Sequence, residues 1–96
     1  MPEKDRNNSS AQANLTARVC VIRDGTRGIS LSLGDEVIGE WTDSRVRTLS
    51  ITDELKIAIR GEDGEPLYLF SLPGTPLSGE QTSDTEVTIA FAPRVS

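Results

Sequence analysis

The sequence predicts a small all-β domain, built either as an antiparallel barrel or as a two-sheet sandwich of about seven strands. From Thr16 onward, apolar residues occur in short runs that are bounded by Gly, Asp, Ser or Pro, which is the pattern of strands and turns. No window keeps the 3.6-residue apolar period of a helix. The 96 residues, 35% of them hydrophobic, suffice for one domain with a modest core.

The N-terminal residues 1–15 are predicted to form a flexible arm. They are rich in Asn, Ser and charged residues, and Leu15 is their isolated aliphatic side chain. A segment without an apolar face cannot offset the entropy lost on ordering. The folded domain is therefore expected to span residues 16–96.

Three strands are predicted in the first half of the chain, at residues 17–22, 29–33 and 36–41. Asp24-Gly25 separates the first two, and such a dipeptide tolerates the positive φ of a tight hairpin turn. Residues 29–33 show the clearest alternation of apolar and polar side chains. The third strand follows a turn at Gly34 and ends in Trp41.

Four further strands are predicted at residues 45–51, 55–60, 67–72 and 86–92. In residues 45–51 the apolar phase slips, and a one-residue bulge after Arg47 would restore it. Residues 67–72 are apolar on both faces, which is typical of a central strand or one covered on both sides.

The stretch 73–85 consists mainly of Pro, Gly, Ser and Thr, with Leu77 as its apolar side chain. It is predicted to be a long loop. A loop of this length in so small a domain is either mobile or a binding element, and mobility is the favoured interpretation.

Catalytic chemistry has little support in the sequence. The chain has no histidine, and its adjacent acidic pairs fall at predicted turns, where Asp and Glu favour solvation and turn geometry. Their spacing does not match a calcium loop. The single cysteine, Cys20, cannot form an intramolecular disulfide and lies mid-strand as a core candidate. We expect no enzymatic activity, no cofactor and no metal site.

The charge balance favours a protein partner over a nucleic acid. The net charge of −5 opposes a polyanion, and four aromatic residues are few for a stacking platform. No apolar run is long enough for a membrane span, and the polar N-terminus lacks the apolar run of a signal peptide. The sequence therefore predicts a cytoplasmic protein that binds no nucleic acid and has no membrane span.

Six residues are candidates for a binding site. Trp41 could be a core plug that caps the domain or a hot spot for a partner. The others lie in arginine-containing strands or in the predicted loop, and the full set is Trp41, Arg45, Arg47, Arg60, Pro73 and Leu77.

Three functions are compatible with the sequence. The favoured hypothesis is a non-enzymatic interaction module that presents a sheet edge, an arginine-containing face or the 73–85 loop to a protein partner. The alternative is a self-assembling structural or particle-associated subunit that pairs through edge strands or its arm. A carboxylate- or metal-dependent enzyme is the third.

A family resemblance rests on the order of several of these runs. Val-Ile-Gly-Glu-Trp at 37–41 precedes Val46 in a basic strand, then residues 55–60, a glycine turn and Leu-Tyr-Leu-Phe at 67–70. Over about residues 17–72 this arrangement resembles the small pleckstrin-homology-like β-domains of bacteria. The resemblance implies meander strands forming half of a barrel, and ligand or protein binding. Those domains close with a C-terminal helix, whereas here a loop and a strand at 86–92 are expected.

Overall fold

The computed structural model of the chain describes residues 12–93, which form eight β-strands and no helix. The prediction of an all-β domain is therefore confirmed. No membrane-spanning helix occurs among these residues. The strands are β1 (Ala13–Arg23), β2 (Thr26–Leu33), β3 (Glu36–Thr42), β4 (Thr48–Ile51), β5 (Ile57–Arg60), β6 (Pro66–Phe70), β7 (Gly74–Ser83) and β8 (Glu86–Pro93).

The strands form two antiparallel sheets. The larger sheet has the order β3-β2-β1-β8-β7, and the smaller one has the order β4-β5-β6. Since neither sheet closes on itself, the fold is sandwich-like rather than a closed barrel. This outcome decides between the two architectures that the sequence left open.

The hydrophobic core collects the inward-facing residues of both sheets. Alternation along each strand places these side chains on one face, as the sequence pattern predicts. Phe91 is the largest of the fully or almost fully buried side chains. The core cluster comprises Leu15, Ala17, Val19, Ile29, Val46, Leu49, Ile57, Ile59, Val87, Ile89 and Phe91.

The turn between β7 and β8 joins the two sheets. The backbone N–H of Leu49 in β4 donates to the carbonyl of Asp84 at 2.9 Å, and the N–H of Val19 in β1 donates to Thr85 at 2.9 Å. The side-chain amide of Gln81 donates to the Leu49 carbonyl at 3.0 Å. Both the N–H and the carbonyl of Leu49 are thus hydrogen-bonded to the segment around this turn, on the side of β4 that does not pair with β5.

The predicted long loop at 73–85 is wrong, because most of it is the strand β7 (Gly74–Ser83). This strand lies at the edge of the larger sheet and, among the strands of residues 12–93, pairs only with β8. Its register shifts twice, next to Leu77 and next to Thr82. Bulges erase the alternation on which strand prediction relies, and an edge strand tolerates Pro76 because it needs fewer ladder hydrogen bonds.

The predicted boundary of the N-terminal arm also changes. Residues 1–11 lie outside the described part of the chain, but β1 starts at Ala13, and Leu15 is buried in the core. β1 is paired on both sides, with β2 and with β8. The Asn14 carbonyl accepts a hydrogen bond from Gly34 N–H at 2.9 Å. Two-sided pairing orders residues whose sequence carries no apolar pattern.

The segment 45–51 forms a shorter strand than predicted. β4 covers only Thr48–Ile51, and its pairing with β5 runs from Thr48 to Ile51 without a bulge. The Asp43 carboxylate instead accepts the backbone N–H of Arg45 at 3.0 Å, which holds the preceding residues in a turn. The apolar phase slips because Val46 reaches the core from this turn.

The segment 67–72 is not the central or doubly covered strand that its composition predicts. It contributes to β6, which is an edge strand of the smaller sheet. Tyr68 and Phe70 pack on the core, whereas Leu69 between them is 61% exposed. An apolar pattern on both faces therefore does not require cover on both faces.

Candidate functional site

Trp41 lies in a cluster of aromatic side chains where β3 and β6 approach each other. Its ring is 5.5 Å from Phe70 and 6.3 Å from Tyr68, and both contacts are edge-to-face. The rings of Tyr68 and Phe70 are stacked at 5.9 Å. Three of the four aromatic residues of the chain thus meet at one corner of the sandwich. Trp41 is partly buried and packs against the core. The predicted core role therefore applies to the part of its side chain that contacts the core.

Asp43 and Arg45 form a polar cap on this aromatic cluster. The guanidinium of Arg45 donates to both carboxylate oxygens of Asp43, at 3.0 Å and 2.8 Å. The Tyr68 hydroxyl donates to the same carboxylate. The Asp43 side chain is 9% exposed, whereas that of Arg45 is 62% exposed. A bidentate pair of this kind fixes the direction of both side chains.

The electrostatics of this cap follow from its hydrogen bonds. Donation from Arg45, and next from Tyr68, holds the pKa of the Asp43 carboxyl well below its usual range. The hydrogen bond and charge of Asp43 raise the pKa of Arg45 in turn. The carboxylate is therefore ionised at neutral pH and its charge is matched within the fold.

A pH-dependent loss of stability is expected for Asp43→Asn. The ionised carboxylate stabilises the native state above the unfolded pKa of about 3.9, and this contribution fades as pH falls toward the lower folded pKa. The variant should lose about 2 kcal/mol at pH 7, the usual scale for a hydrogen bond to a charged group. Its deficit should shrink below about pH 4. Urea unfolding followed by Trp41 fluorescence measures both quantities.

The matched control for this experiment is Glu54→Gln. Glu54 is also paired, with Lys56 at 3.3 Å, but its side chain is 76% exposed. An exposed pair contributes little, so this variant should unfold like the parent at every pH. A deficit of Asp43→Asn that stays constant down to acidic pH contradicts the assigned role of its charge.

β3 also exposes two neighbouring aliphatic side chains at the edge of the larger sheet. Val37 is 54% exposed and Ile38 is 55% exposed. The register with β2 shifts here, since Gly39 pairs with Leu31 while Val37 pairs with Ser32. Ile38 is the extra residue of this bulge, so neither aliphatic side chain follows the core-facing alternation. We call Val37, Ile38, Glu40 and Trp41 the β3 edge surface.

A shallow depression of about 350 Å³ adjoins the β3 edge surface. It combines the indole of Trp41 with an aliphatic side chain and with one acidic and one basic residue. Among the described residues, no ion pair joins Arg23 to Glu40. The depression is lined by Ile22, Arg23, Glu40, Trp41 and Thr42. Such a surface accepts an apolar group flanked by polar ones.

The structure unites some of the predicted site residues and separates others. Arg45 is linked to Trp41 through Asp43 and Tyr68. Arg47 donates to the carbonyls of Ser44 at 2.6 Å and Val46 at 2.9 Å, so its guanidinium holds a turn.

The remaining predicted residues lie away from Trp41. Arg60 donates to the Gly64 carbonyl at 3.2 Å in the β5–β6 turn. Pro73 precedes β7 and Leu77 lies on it, and β7 is the opposite edge of the larger sheet from β3. The six candidates therefore do not form one surface.

Val37 and Ile38 are not among the site residues that the sequence predicts. The available signal was two adjacent aliphatic residues in a strand that otherwise alternates, directly before Gly39. Such adjacency indicates a bulge that turns one side chain outward. Tyr68 and Asp43 carried no sequence signal, because 25 positions separate them and only the fold joins them.

Residues 12–93 contain no cluster of three or more His, Cys, Asp or Glu side chains able to hold a metal ion. Cys20 is a free, partly buried thiol in β1 and pairs in register with Gly28. No protein-family model, curated protein or solved structure matches this chain.

Proposed function

We propose that this domain is a non-enzymatic interaction module that binds a protein partner through the β3 edge surface. The observation that carries the proposal is an edge strand with two half-exposed aliphatic side chains beside an aromatic-lined depression. Protein interfaces combine aromatic and aliphatic anchors with a polar rim in this way. Glu40 and Arg23 supply polar groups at the margin.

The chemistry of the chain supports a protein rather than a nucleic acid as partner. The net charge of −5 repels a phosphate backbone. Arg45, Arg47 and Arg60 all donate hydrogen bonds within the domain. We also propose that the protein is cytoplasmic and that it is related to the pleckstrin-homology-like domains, a kinship that would likewise imply binding.

Self-assembly through sheet edges has weaker support. β7 carries Pro76 and two bulges, and β3 carries a bulge and two glutamates. Bulges, proline and charge are the devices by which proteins prevent their edges from pairing with one another. At both edges of the larger sheet, these features favour a single module over a subunit of a larger assembly.

The proposal is tested by immobilising the parent chain and two variants and measuring how well each one binds the same protein partner. The double variant Val37→Ser with Ile38→Ser removes the aliphatic pair, and Val21→Ser is the matched control because Val21 is 62% exposed on another strand. We expect the parent and the control to retain the same partner, and the double variant to bind it about tenfold more weakly, or 1.4 kcal/mol.

Light scattering completes the test. The isolated chain should have the mass of a 10.4 kDa monomer at every concentration. A discrete oligomer that survives dilution, or a partner that the double variant retains in full, contradicts the proposal. The first outcome supports the self-assembling alternative.

A further inference from the structure

We infer that the β3 edge surface binds an extended segment of its partner as an added strand, and that this segment alternates basic and aliphatic side chains. The inference rests on the proposed function and names the chemistry of the partner. Strand addition to an open sheet edge combines backbone hydrogen bonds for affinity with side-chain contacts for specificity.

The hydrogen-bond ladder of β2 and β3 identifies the backbone groups that are available. The N–H of Asp43 donates to the Arg27 carbonyl at 2.9 Å, and Thr42 is the register partner of Gly28. In an antiparallel ladder, residues alternate between hydrogen-bonded and non-hydrogen-bonded pairs. The N–H and C=O groups of Glu40 and Thr42 therefore point away from β2, toward the side of β3 on which no strand of residues 12–93 pairs.

The side chains of β3 define what the added strand should carry. Residues that lie side by side on adjacent strands share a face of the sheet. Glu40 lies on the outer face with its partner Ser30, and Trp41 lies on the core face with Ile29. A basic side chain beside Glu40 and an aliphatic side chain beside Trp41 satisfy both positions.

The charge of the edge selects this occupant. β3 contains Glu36 and Glu40 and no basic residue, and Asp35 precedes it in the turn. Opposite charges across a strand pair are favourable, and like charges directly opposite are unfavourable. A segment rich in lysine or arginine complements the edge, whereas an acidic segment does not.

The same rule opposes a second copy of this chain as the occupant. Antiparallel pairing of two β3 strands centred on Ile38 puts Glu36 of one copy opposite Glu40 of the other. Pairing that matches Val37 with Ile38 puts Glu40 opposite Asp35. These two registers thus set carboxylates against each other, whereas pairing centred on Val37 opposes no two carboxylates but sets Glu36 opposite Ile38.

Amide NMR with synthetic peptides tests the inference. The probe is a short capped peptide of alternating lysine and valine, and we expect it to shift the amide signals of Glu40 and Thr42 and to slow their hydrogen exchange. The same peptide N-methylated on the backbone nitrogens of its lysines, which lie opposite Glu40 and Thr42 in an antiparallel ladder, keeps the charge but loses the donors toward β3, so it should not bind. A glutamate–valine peptide should not bind either.

Charge reversal supplies matched variants. Glu40→Lys should weaken binding of the lysine–valine peptide about tenfold or more and favour the glutamate–valine peptide. Glu80→Lys is the control, because Glu80 is an exposed acid on the opposite edge strand β7. It should leave binding unchanged.

Several outcomes overturn the inference: no response to the lysine–valine peptide, shifts that centre on β7, equal binding of the N-methylated peptide, or unchanged binding by Glu40→Lys. If the peptide fails while partner capture still depends on Val37 and Ile38, this inference falls and the proposed function stands. If capture shows no such dependence, the proposed function itself falls.

Discussion

Gly28→Ala is expected to destabilise the domain by about 3 kcal/mol or more, at the upper end of the cost of overfilling a packed site. A Cβ atom at this position of β2 would lie 2.1 Å from the backbone carbonyl oxygen of Trp41 and 2.8 Å from the Cα of Thr42. Backbone atoms of the neighbouring strand cannot rotate away, so relief requires separating β2 from β3. Urea unfolding followed by circular dichroism measures the loss.

Gly39→Ala is the matched control for this prediction. Gly39 lies on the adjoining strand β3, and a Cβ built there meets no atom within 4 Å. Alanine at this position should therefore cost little. Equal stability of Gly28→Ala and the parent would show that β2 and β3 are not as closely paired as the structure has them.

Trp41→Ala is expected to cost about 3 kcal/mol or more in the free energy of unfolding, as large-to-small changes of core aromatic residues do. The substitution removes the ring that contacts both Tyr68 and Phe70. Because Trp41 belongs to the larger sheet and its two partners to the smaller one, its loss weakens the packing between the sheets. Circular dichroism must report unfolding here, since the chain has no other tryptophan.

Trp41→Phe serves as the control, because a phenyl ring keeps part of the contact with Phe70 and should cost clearly less than alanine. A near-zero effect of Trp41→Ala would contradict the packing role. Trp41 would then act in partner binding alone, and the double variant at Val37 and Ile38 would be the comparison for that loss.

The candidate site could be predicted from the sequence only in part. Trp41 and Arg45 are close in the chain, and the strand that ends at Trp41 is evident from its pattern. Tyr68 joins them only through the pairing of β6 with β5 and the packing of the two sheets. The guanidinium groups of Arg47 and Arg60 donate hydrogen bonds to nearby backbone carbonyls, and the sequence spacing of these arginines does not predict those contacts.

The edge strands, too, could be predicted from the sequence only in part. Residues 74–83 lack an apolar alternation because β7 has one paired neighbour and two bulges, so their strand state depends on β8 rather than on their own composition. Conversely, the apolar residues 67–72 form no central strand, since no layer of the described residues covers Leu69, which is 61% exposed.

The sequence by itself determined the all-β class, the alternating core of β1, β2 and β8, and the turns at Gly25, Gly34 and Gly64, where glycine adopts positive φ. These features follow from local backbone sterics and from the burial of every second residue in a strand. Both are evident from a short stretch of sequence. The tertiary structure alone decided the sandwich, the edge position of β3 and the aromatic corner. Strand order and sheet packing depend on hydrogen bonds and contacts between distant residues, and no local pattern encodes them.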